Sequence, residues 1–222
     1  HVRAERRQDK SGEKGMKGSF ITFEGCEGSG KSTQMRLLSE RLKKEGISHI
    51  VTREPGGSDI AEQIRAIILI GKNTAMCDEC EALLYAAARA QHLNEKVRPA
   101  LDEGLLVLCD RFVDSSLAYQ GYARGLGMDF VSSINSFALE NYMPDLTLFL
   151  NISPKAAFER KHGADEGDRM EQLGLGFHEK VYEGYLKLAD MYPGRIVKVE
   201  CGGSKYDTAD RIYSVLKSHK II

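Results

Sequence analysis

Residues Gly25–Ser32 read Gly-Cys-Glu-Gly-Ser-Gly-Lys-Ser, which is the spacing G-x-x-x-x-G-K-[ST] of a phosphate-binding loop. Glycines let successive backbone N–H groups converge on an anion, and the start of a following helix adds partial positive charge. In this chemistry Lys31 contacts the β- and γ-phosphates and the hydroxyl of Ser32 is a ligand of Mg²⁺. The predicted triphosphate-binding residues are Gly25, Cys26, Glu27, Gly28, Ser29, Gly30, Lys31, Ser32 and Thr33.

A carboxylate that suits the same chemistry is Asp110, which directly follows the apolar run Leu105–Cys109. An acidic residue just past a buried strand is the Walker B arrangement, which places a carboxylate near Mg²⁺. We therefore predict that Ser32 and Asp110 are the metal ligands.

The segments on either side of the loop fit this interpretation. The apolar run Phe20–Phe23 predicts a buried strand, and Met35, Leu38 and Leu42 have helical spacing in the segment that ends at Gly46. Strand, glycine loop and helix are the context in which the motif binds phosphate, whereas a chance glycine-rich turn would not have both flanks.

The rest of the chain alternates in the same way. Further strands are predicted at 48–51, 105–109, 146–150 and 195–199, and further helices near 59–68 and at 80–97, 130–141, 154–161, 177–191 and 207–217, with Pro99 ending or kinking the third helix. This pattern predicts an α/β fold with a five-stranded parallel sheet flanked by helices and ligands at the carboxyl ends of the strands.

Composition narrows the class of protein. The 222 residues are 42% hydrophobic and 28% charged, which is typical of a globular domain, and the formal net charge of -1 disfavours a general nucleic-acid or membrane-surface partner. The apolar runs fall far short of the ~20 residues of a membrane span. We expect residues 1–16 to be a disordered tail, with tag or vector residues before Met16, and 17–222 to form a single domain.

The five cysteines show no disulfide framework and no secretory signal is apparent, so we expect a reduced, cytoplasmic setting. Cys77 and Cys80 form a lone C-x-x-C without the partner ligands of a zinc site, which favours unpaired thiols. Cys26 lies inside the phosphate loop, and we expect that its alkylation would block nucleotide binding.

Five further segments carry a resemblance to a known family. They are Thr52–Gly57, Ala88–His92, the pair Asp110–Phe112 and Ser115–Gly121, and Asp168–Glu171. In this order and spacing they resemble the thymidylate kinases (dTMP kinases) from residue 17 to about residue 217.

The resemblance implies a P-loop nucleoside monophosphate kinase fold with a short lid at about 162–176. It implies transfer of the γ-phosphoryl of ATP to dTMP for dTTP synthesis, a need for Mg²⁺, and a homodimer.

The resemblance also assigns roles to the acceptor side. Arg53 and Arg111 would grip the acceptor monophosphate, as bidentate cations can, and Glu27 would order the acceptor and these arginines. Tyr85 would stack on thymine and Arg89, which shares its helix face, would donate to O4. Ser116, Tyr119 and Gln120 would line the base and sugar. We add the hypothesis that Tyr119 excludes a ribose 2′-hydroxyl.

One departure is informative. A branch of the family carries a catalytic Arg in the phosphate loop, at the position of Gly28. The other, mainly bacterial, branch has basic residues in the lid, where this chain offers Arg160, Lys161 and Arg169. We predict that Arg169 or Arg160 covers the ATP phosphates and neutralises transition-state charge, making it catalytic together with Lys31, Arg111 and Glu27. The adenine is expected near Cys201–Lys205.

Three alternatives remain at this stage. A kinase for another (deoxy)nucleoside monophosphate or for a deoxynucleoside would share most of these features. A GTPase-type switch is disfavoured because the guanine-reading motif Asn-Lys-x-Asp is absent, and an inactive binding homologue is disfavoured by the intact Lys31, Ser32, Asp110 and Arg111. The sequence does not predict the extent of dUMP use or the dimer surface.

Overall fold

The computed structural model describes residues 18–161 and 169–222. The predicted tail and residues 162–168 of the predicted lid lie outside these described residues. The strands are β1 (Phe20–Glu24), β2 (His49–Arg53), β3 (Leu106–Asp110), β4 (Leu146–Asn151) and β5 (Ile196–Glu200). The α-helices are α1 (Lys31–Lys44), α2 (Asp59–Leu69), α3 (Asp78–His92), α4 (Arg98–Asp102), α5 (Val113–Ser116), α6 (Met128–Ile134), α7 (Ser136–Asn141), α8 (Pro154–Lys161), α9 (Gly174–Met191) and α10 (Lys205–Ser218).

The five strands form one parallel sheet in the order β2-β3-β1-β4-β5, which confirms the predicted architecture. β1 is central and every residue in it is buried. Its neighbour β3 is aligned so that Phe23 lies opposite Asp110. The residues that follow β1 and β3 therefore meet at one edge of the sheet, as ligand-binding loops do in folds of this kind.

Helices cover both faces of the sheet because successive strand residues point to opposite sides. On one face Ile21 and Phe23 of β1 pack with Met35, Leu38 and Leu42 of α1, as the helical spacing predicted. On the other face Val107 and Cys109 of β3 and Phe20 of β1 pack against α4 and the turn before it. A third cluster joins α9 to the segment around Tyr119.

The helical path does not end at Pro99, which was one of the two outcomes predicted for this residue. α3 passes into a π-helical turn at Leu93–Val97 and continues as α4 through Pro99 to Asp102. Pro99 lies in the first turn of α4, where a missing N–H disrupts few helical hydrogen bonds. A second π-helical turn, Leu117–Ala123, carries the Tyr119 and Gln120 side chains.

None of the helices within 18–161 and 169–222 is both long enough and apolar enough to cross a lipid bilayer.

Candidate active site

The phosphate loop joins β1 to α1, with Gly30 in the left-handed conformation at the start of the helix. The side chain of Lys31 turns back into the loop, where Nζ donates to the carbonyls of Gly25 (3.1 Å) and Cys26 (3.0 Å). Burial, followed by the positive charge of Arg111, lowers the pKa of Lys31. The loop thus holds a nearly buried ammonium at the edge of the sheet where phosphate would bind.

The Asp110 carboxylate lies at the end of β3, opposite the residue that precedes the phosphate loop by two positions. Its Oδ1 atom is buried and has no hydrogen-bond partner in the described chain. A buried acceptor without a donor fits a site for a cation or its bound water. Ser32 is exposed in the first turn of α1.

A cavity opens beside the phosphate loop, and seven predicted site residues line it. These are Glu27, Tyr85, Arg89, Arg111, Ser116, Tyr119 and Gln120. The remaining lining residues, which the sequence did not predict, are Glu54, Pro55, Arg65, Leu69, Phe112, Ser115 and Met170. The roles of the seven residues stay predictions, but the fold brings their side chains to one place.

Arg111 connects this cavity to the phosphate loop. The residue follows β3 directly and has a φ of 66°, a left-handed conformation that costs a non-glycine residue about 1 kcal/mol. Its backbone N–H donates to Phe23 O at 2.9 Å, and its guanidinium is bonded to Glu27 of the loop. Nη1 also donates to Ser115 and to Tyr185 of α9, both at 3.2 Å. The arginine is therefore held at a fixed angle between loop and cavity.

The carboxylate of Glu24 bonds to the residue after Arg111 and to Tyr185, which in turn contacts Arg111. It accepts hydrogen bonds from Phe112 N (2.8 Å), Ser115 Oγ (2.6 Å) and Tyr185 OH (2.7 Å). Burial, followed by the negative charge of Asp114, raises the pKa of Glu24 to about 7. This buried group ties β1, the segment after β3 and α9 together.

Arg89 is the most completely buried cation of the cavity, with 1% of its side chain exposed. Nε donates to Glu54 (2.8 Å) and Nη1 to Asn135 (2.6 Å). Nη2 donates to both Phe112 O and Ser116 Oγ at 3.1 Å. Four of the five N–H groups of the guanidinium are thus engaged, which leaves one N–H of Nη1 for a ligand.

Glu54 is itself oriented by His92, as a neighbour one turn after Arg89 could be expected to do. His92 Nδ1 lies 3.0 Å from Glu54 Oε1, and its Nε2 lies 2.7 Å from Thr52 Oγ1. Because a carboxylate only accepts, Nδ1 carries a proton and donates to Glu54.

A second cavity lies on the other side of the phosphate loop. Its lining residues are Gly28, Ser29, Gly30, Thr33, Gln34, Arg160, Cys201, Gly203, Ser204, Lys205 and Thr208. Arg160 Nη2 donates to Cys201 O at 2.8 Å, which places this cation at the mouth of the cavity. The structure thus presents two cavities that meet at the phosphate loop.

The family model described as thymidylate kinase matches residues 23–212. This chain belongs to the thymidylate kinase family. Curated thymidylate kinases from Clostridium novyi and Bacillus velezensis are 51% and 54% identical to it, over 203 and 192 residues. These matches cover 90% and 86% of this chain, and 97% and 91% of the relatives.

Gly28 occupies the loop position at which, by the resemblance described above, one branch of the thymidylate kinase family carries an arginine. Gly28 has a φ of 74°, and a Cβ there would lie 2.5 Å from the carbonyl oxygen of Ala157 in α8. A side chain would require a shift of that backbone. The loop of this thymidylate kinase family member therefore has no room for an arginine at this position without rearrangement.

Arg53 does not line the first cavity, which we call the acceptor cavity. The family resemblance predicted this residue as a ligand of the acceptor phosphate. Its Nη2 donates to both carboxylate oxygens of Glu62 at 2.9 Å, and 53% of its side chain is exposed. Arg65 of α2 lines the cavity instead, with Nη1 bonded to Pro55 O at 2.8 Å. No spacing pattern marks Arg65 in the sequence; only the packing of α2 beside the loop brings it there.

Arg169, which we predicted to cover the ATP phosphates, lies outside the lining of the second cavity, which we call the nucleotide-side cavity. Arg169 is buried, with Nε bonded to Ile68 O (2.8 Å) and Nη2 to Glu81 (2.6 Å). It does not line the nucleotide-side cavity, whereas Arg160 does. Lys161 ends α8, and the lid residues 162–168 lie outside the described part of the chain.

The structure limits access to Cys26, so the expected block of nucleotide binding by alkylation stays a prediction. The Cys26 side chain is fully buried beneath the loop, and burial raises the pKa of its thiol to about 11. The thiol is therefore neither accessible nor nucleophilic at neutral pH. Cys77 and Cys80 are exposed and, like the other cysteines, free.

Proposed function

We propose that this chain transfers the γ-phosphoryl group of ATP to dTMP, which yields dTDP and ADP for dTTP synthesis. The observation that carries the proposal is the position of Arg111. Its guanidinium is bonded to Glu27 of the phosphate loop and also lines the acceptor cavity. A phosphate held by Arg111 would therefore lie beside the phosphates held by the loop, as in-line phosphoryl transfer requires.

ATP would extend from the phosphate loop into the second cavity. The backbone of Gly25–Gly30 and the side chain of Lys31 would hold the phosphates, with the adenine near the loop around Cys201–Lys205. Gln34 helps to shape this wall, because its Nε2 donates to Lys205 O at 2.9 Å. Arg160 is the cation best placed to approach the transferring phosphoryl group and neutralise its charge.

Ser32 and Asp110 would hold Mg²⁺ through a hydroxyl and a carboxylate, and the ion would neutralise charge on the phosphates. The unpartnered Oδ1 of Asp110 supports this assignment. Among the described residues no group of three or more His, Cys, Asp or Glu side chains surrounds a potential cation site. That agrees with Mg²⁺, which is usually bound by one or two carboxylates together with phosphates and water.

On the acceptor side, Arg111 and Arg65 would bind the monophosphate, and Arg53 could join them after leaving Glu62. Glu27 would keep Arg111 aligned. A carboxylate at this position repels a phosphate, so its place beside Arg111 is consistent with an orienting role.

The ring of dTMP would lie between Tyr85 and the π-helical turn Leu117–Ala123. Arg89 has one N–H left for O4, and Ser116 and Gln120 complete the wall. The Tyr119 hydroxyl is buried without a hydrogen-bond partner in the described chain. Its position in the cavity agrees with a contact to the sugar and with discrimination against a 2′-hydroxyl.

We also propose that the protein is a cytoplasmic homodimer. The exposed side chains of α2 and α3, two helices that pack on each other, include Ile60, Ile67 and Leu83, each about half exposed. Large apolar side chains grouped on an outer face favour burial against another surface. The five free thiols agree with a reducing compartment.

The test is release of ADP with dTMP, dUMP, dCMP, dGMP and thymidine as acceptors, at saturating ATP and Mg²⁺. We expect dTMP to give the highest kcat/KM and thymidine no turnover, since thymidine has no phosphate for Arg111. Lys31→Ala, which removes the loop cation, is the control for contaminating kinases. Faster turnover of dGMP, dCMP or thymidine than of dTMP would reject the proposal and favour another nucleotide or nucleoside kinase.

A further inference from the structure

Glu81 is a fully buried carboxylate on α3 that none of the roles above requires. It lies one helical turn before Tyr85 and two turns before Arg89, on the helix that forms one wall of the acceptor cavity. Three side chains donate to it: Gln120, Arg124 and Arg169. Burying a carboxylate costs folding free energy unless well-placed hydrogen bonds compensate it. A role in the neighbouring acceptor cavity would account for a buried carboxylate at this position.

The contact with Gln120 has a defined polarity. A carboxylate can only accept hydrogen bonds, so the amide nitrogen of Gln120 must face Glu81, and Nε2 lies 2.8 Å from Oε1 of Glu81. The amide oxygen of Gln120 then points to the other side. It has no hydrogen-bond donor in the described chain, and Gln120 lines the acceptor cavity. Glu81 therefore determines which end of the amide a ligand meets.

Two arginines keep the Glu81 carboxylate in this orientation. Arg169 Nη2 donates to Oε2 at 2.6 Å, and Arg124 donates to Oε2 at 2.9 Å and to Oε1 at 3.3 Å. Both oxygens thus accept from an arginine, and rotation of the carboxylate would break charge-assisted hydrogen bonds.

Arg89 and Gln120 together present one hydrogen-bond donor and one acceptor to the cavity. Arg89 offers its one remaining N–H as a donor, and the Gln120 oxygen is an acceptor. A 4-keto pyrimidine presents the matching pair, an O4 acceptor next to an N3–H donor. Cytosine presents the reverse pair, an amino donor at C4 and an acceptor at N3, and would leave both protein groups unpaired.

We propose that Glu81 is a specificity-determining residue that acts through Gln120, by fixing the amide so that its oxygen reads the N3–H of the acceptor base. The inference rests on the proposed function, because it takes dTMP as the acceptor. Glu81 is a positioning residue that does not touch the substrate.

The test compares wild type with Glu81→Gln, in which the new amide can donate as well as accept and so releases the polarity of Gln120. Dissociation constants for dTMP and dCMP are measured by titration calorimetry, and kcat and KM by ADP release. We expect the preference for dTMP over dCMP to fall about tenfold or more, mainly through KM and Kd for dTMP. The KM for ATP should be unchanged.

Two further variants separate positioning from a general loss of structure. Arg124→Met removes one cation from Glu81 but leaves Arg169 Nη2 and Gln120 Nε2 bonded to the carboxylate, and Arg169 alone makes the shorter contact, so the dTMP preference should stay at the wild-type value. Glu81→Gln with Arg124→Met removes one buried charge of each sign and serves if the single variant is unstable; it should lose the preference. In a Gln120→Ala background, Glu81→Gln should have no further effect on the ratio, because coupled residues are not additive.

A wild-type preference that survives Glu81→Gln, or that falls equally with Arg124→Met, would overturn this inference while leaving the proposed function intact. A wild-type protein that does not phosphorylate dTMP at all would instead overturn the proposed function.

Discussion

At the scale of single residues, the cations of the site are held by the protein before they meet a phosphate or a base. Lys31, Arg89 and Arg111 each donate to several protein oxygens. Such groups lose little side-chain entropy on binding, and they keep few free N–H directions for a ligand. Arg160 lines the nucleotide-side cavity and donates to Cys201 O, whereas Arg169 is buried, donates to Ile68 O and Glu81, and lines neither cavity.

Alanine substitutions of these two arginines should affect different substrates. We expect Arg160→Ala to lower kcat by about 10²-fold or more, as loss of a charge-stabilising group does, with little change in the KM for dTMP. We expect Arg169→Ala to raise the KM for dTMP, because Glu81, which contacts Gln120, loses a charge-assisted hydrogen bond. Steady-state kinetics with each substrate varied in turn checks both, and Lys155→Ala, an exposed lysine of the same helix as Arg160, is the control. A large fall of kcat in Arg169→Ala alone would restore the original assignment to Arg169.

How far the sequence could predict the site depends on where each residue lies in the chain. Glu27 and Arg111 belong to the compact motifs that carry the family resemblance, and both line the cavity. Arg65 and Met170 come from α2 and from the end of the lid, and only packing brings them to the cavity. A motif does not show that Glu62 of the next helix binds the Arg53 guanidinium, so the sequence could not predict that Arg53 does not line the cavity.

At the scale of elements, the carboxyl ends of β1 and β3 and the middle of α9 act as one unit. Glu24 at the end of β1 bonds to the segment after β3, and Tyr185 of α9 bonds to both Glu24 and Arg111. The strands and most helices could be predicted because their hydrophobic periods are clear. The π-helical turn at Leu93–Val97 could not be, since it gives no period of its own and hides the continuation past Pro99.

Glu24 predicts a pH dependence of stability. Its pKa is raised to about 7 in the folded protein, above the ordinary 4.5, so the folded state binds its proton more tightly than the unfolded state. The stabilising effect is complete below pH ~4.5 and is lost as the pH rises through ~7, by an amount on the order of 3 kcal/mol. Denaturant unfolding of wild type and Glu24→Gln across this range should show the slope in wild type only.

Glu40→Gln is the control for that comparison, because Glu40 is an exposed carboxylate of α1 paired with Arg36. Its unfolding free energy should follow the wild-type curve at each pH. Parallel curves for wild type and Glu24→Gln would contradict the assignment to Glu24.

At the scale of the whole molecule, the two cavities lie on either side of the phosphate loop, and the exposed apolar residues of α2 and α3 lie on helices behind the acceptor cavity. Arg65 and Leu69 of α2, and Tyr85 and Arg89 of α3, face inward to the cavity. Ile60, Ile67 and Leu83 of the same helices face outward. A homodimer formed through this outer face would therefore support the walls of the acceptor site from outside.

Charged substitutions on that face should separate the subunits. We expect Ile67→Glu combined with Leu83→Glu to sediment as a monomer, because burying an unpaired charge in the interface is costly. The double variant should also bind dTMP more weakly, because the walls of the acceptor cavity lose their support from the second subunit. Met191→Glu, at the equally exposed end of α9, should remain dimeric. Sedimentation equilibrium of the three proteins checks this, and an unchanged mass for the double variant would place the interface elsewhere.

The inward turn of Lys31 has an energetic consequence for the first step of ATP recognition. Its ammonium has already exchanged most of its water for the carbonyl oxygens of Gly25 and Cys26. An incoming triphosphate thus competes with neutral dipoles of the loop itself, and it succeeds because its oxygens carry full negative charge. Weakly charged anions lack that advantage, so the loop selects for highly charged ligands before the protein contacts a nucleotide base.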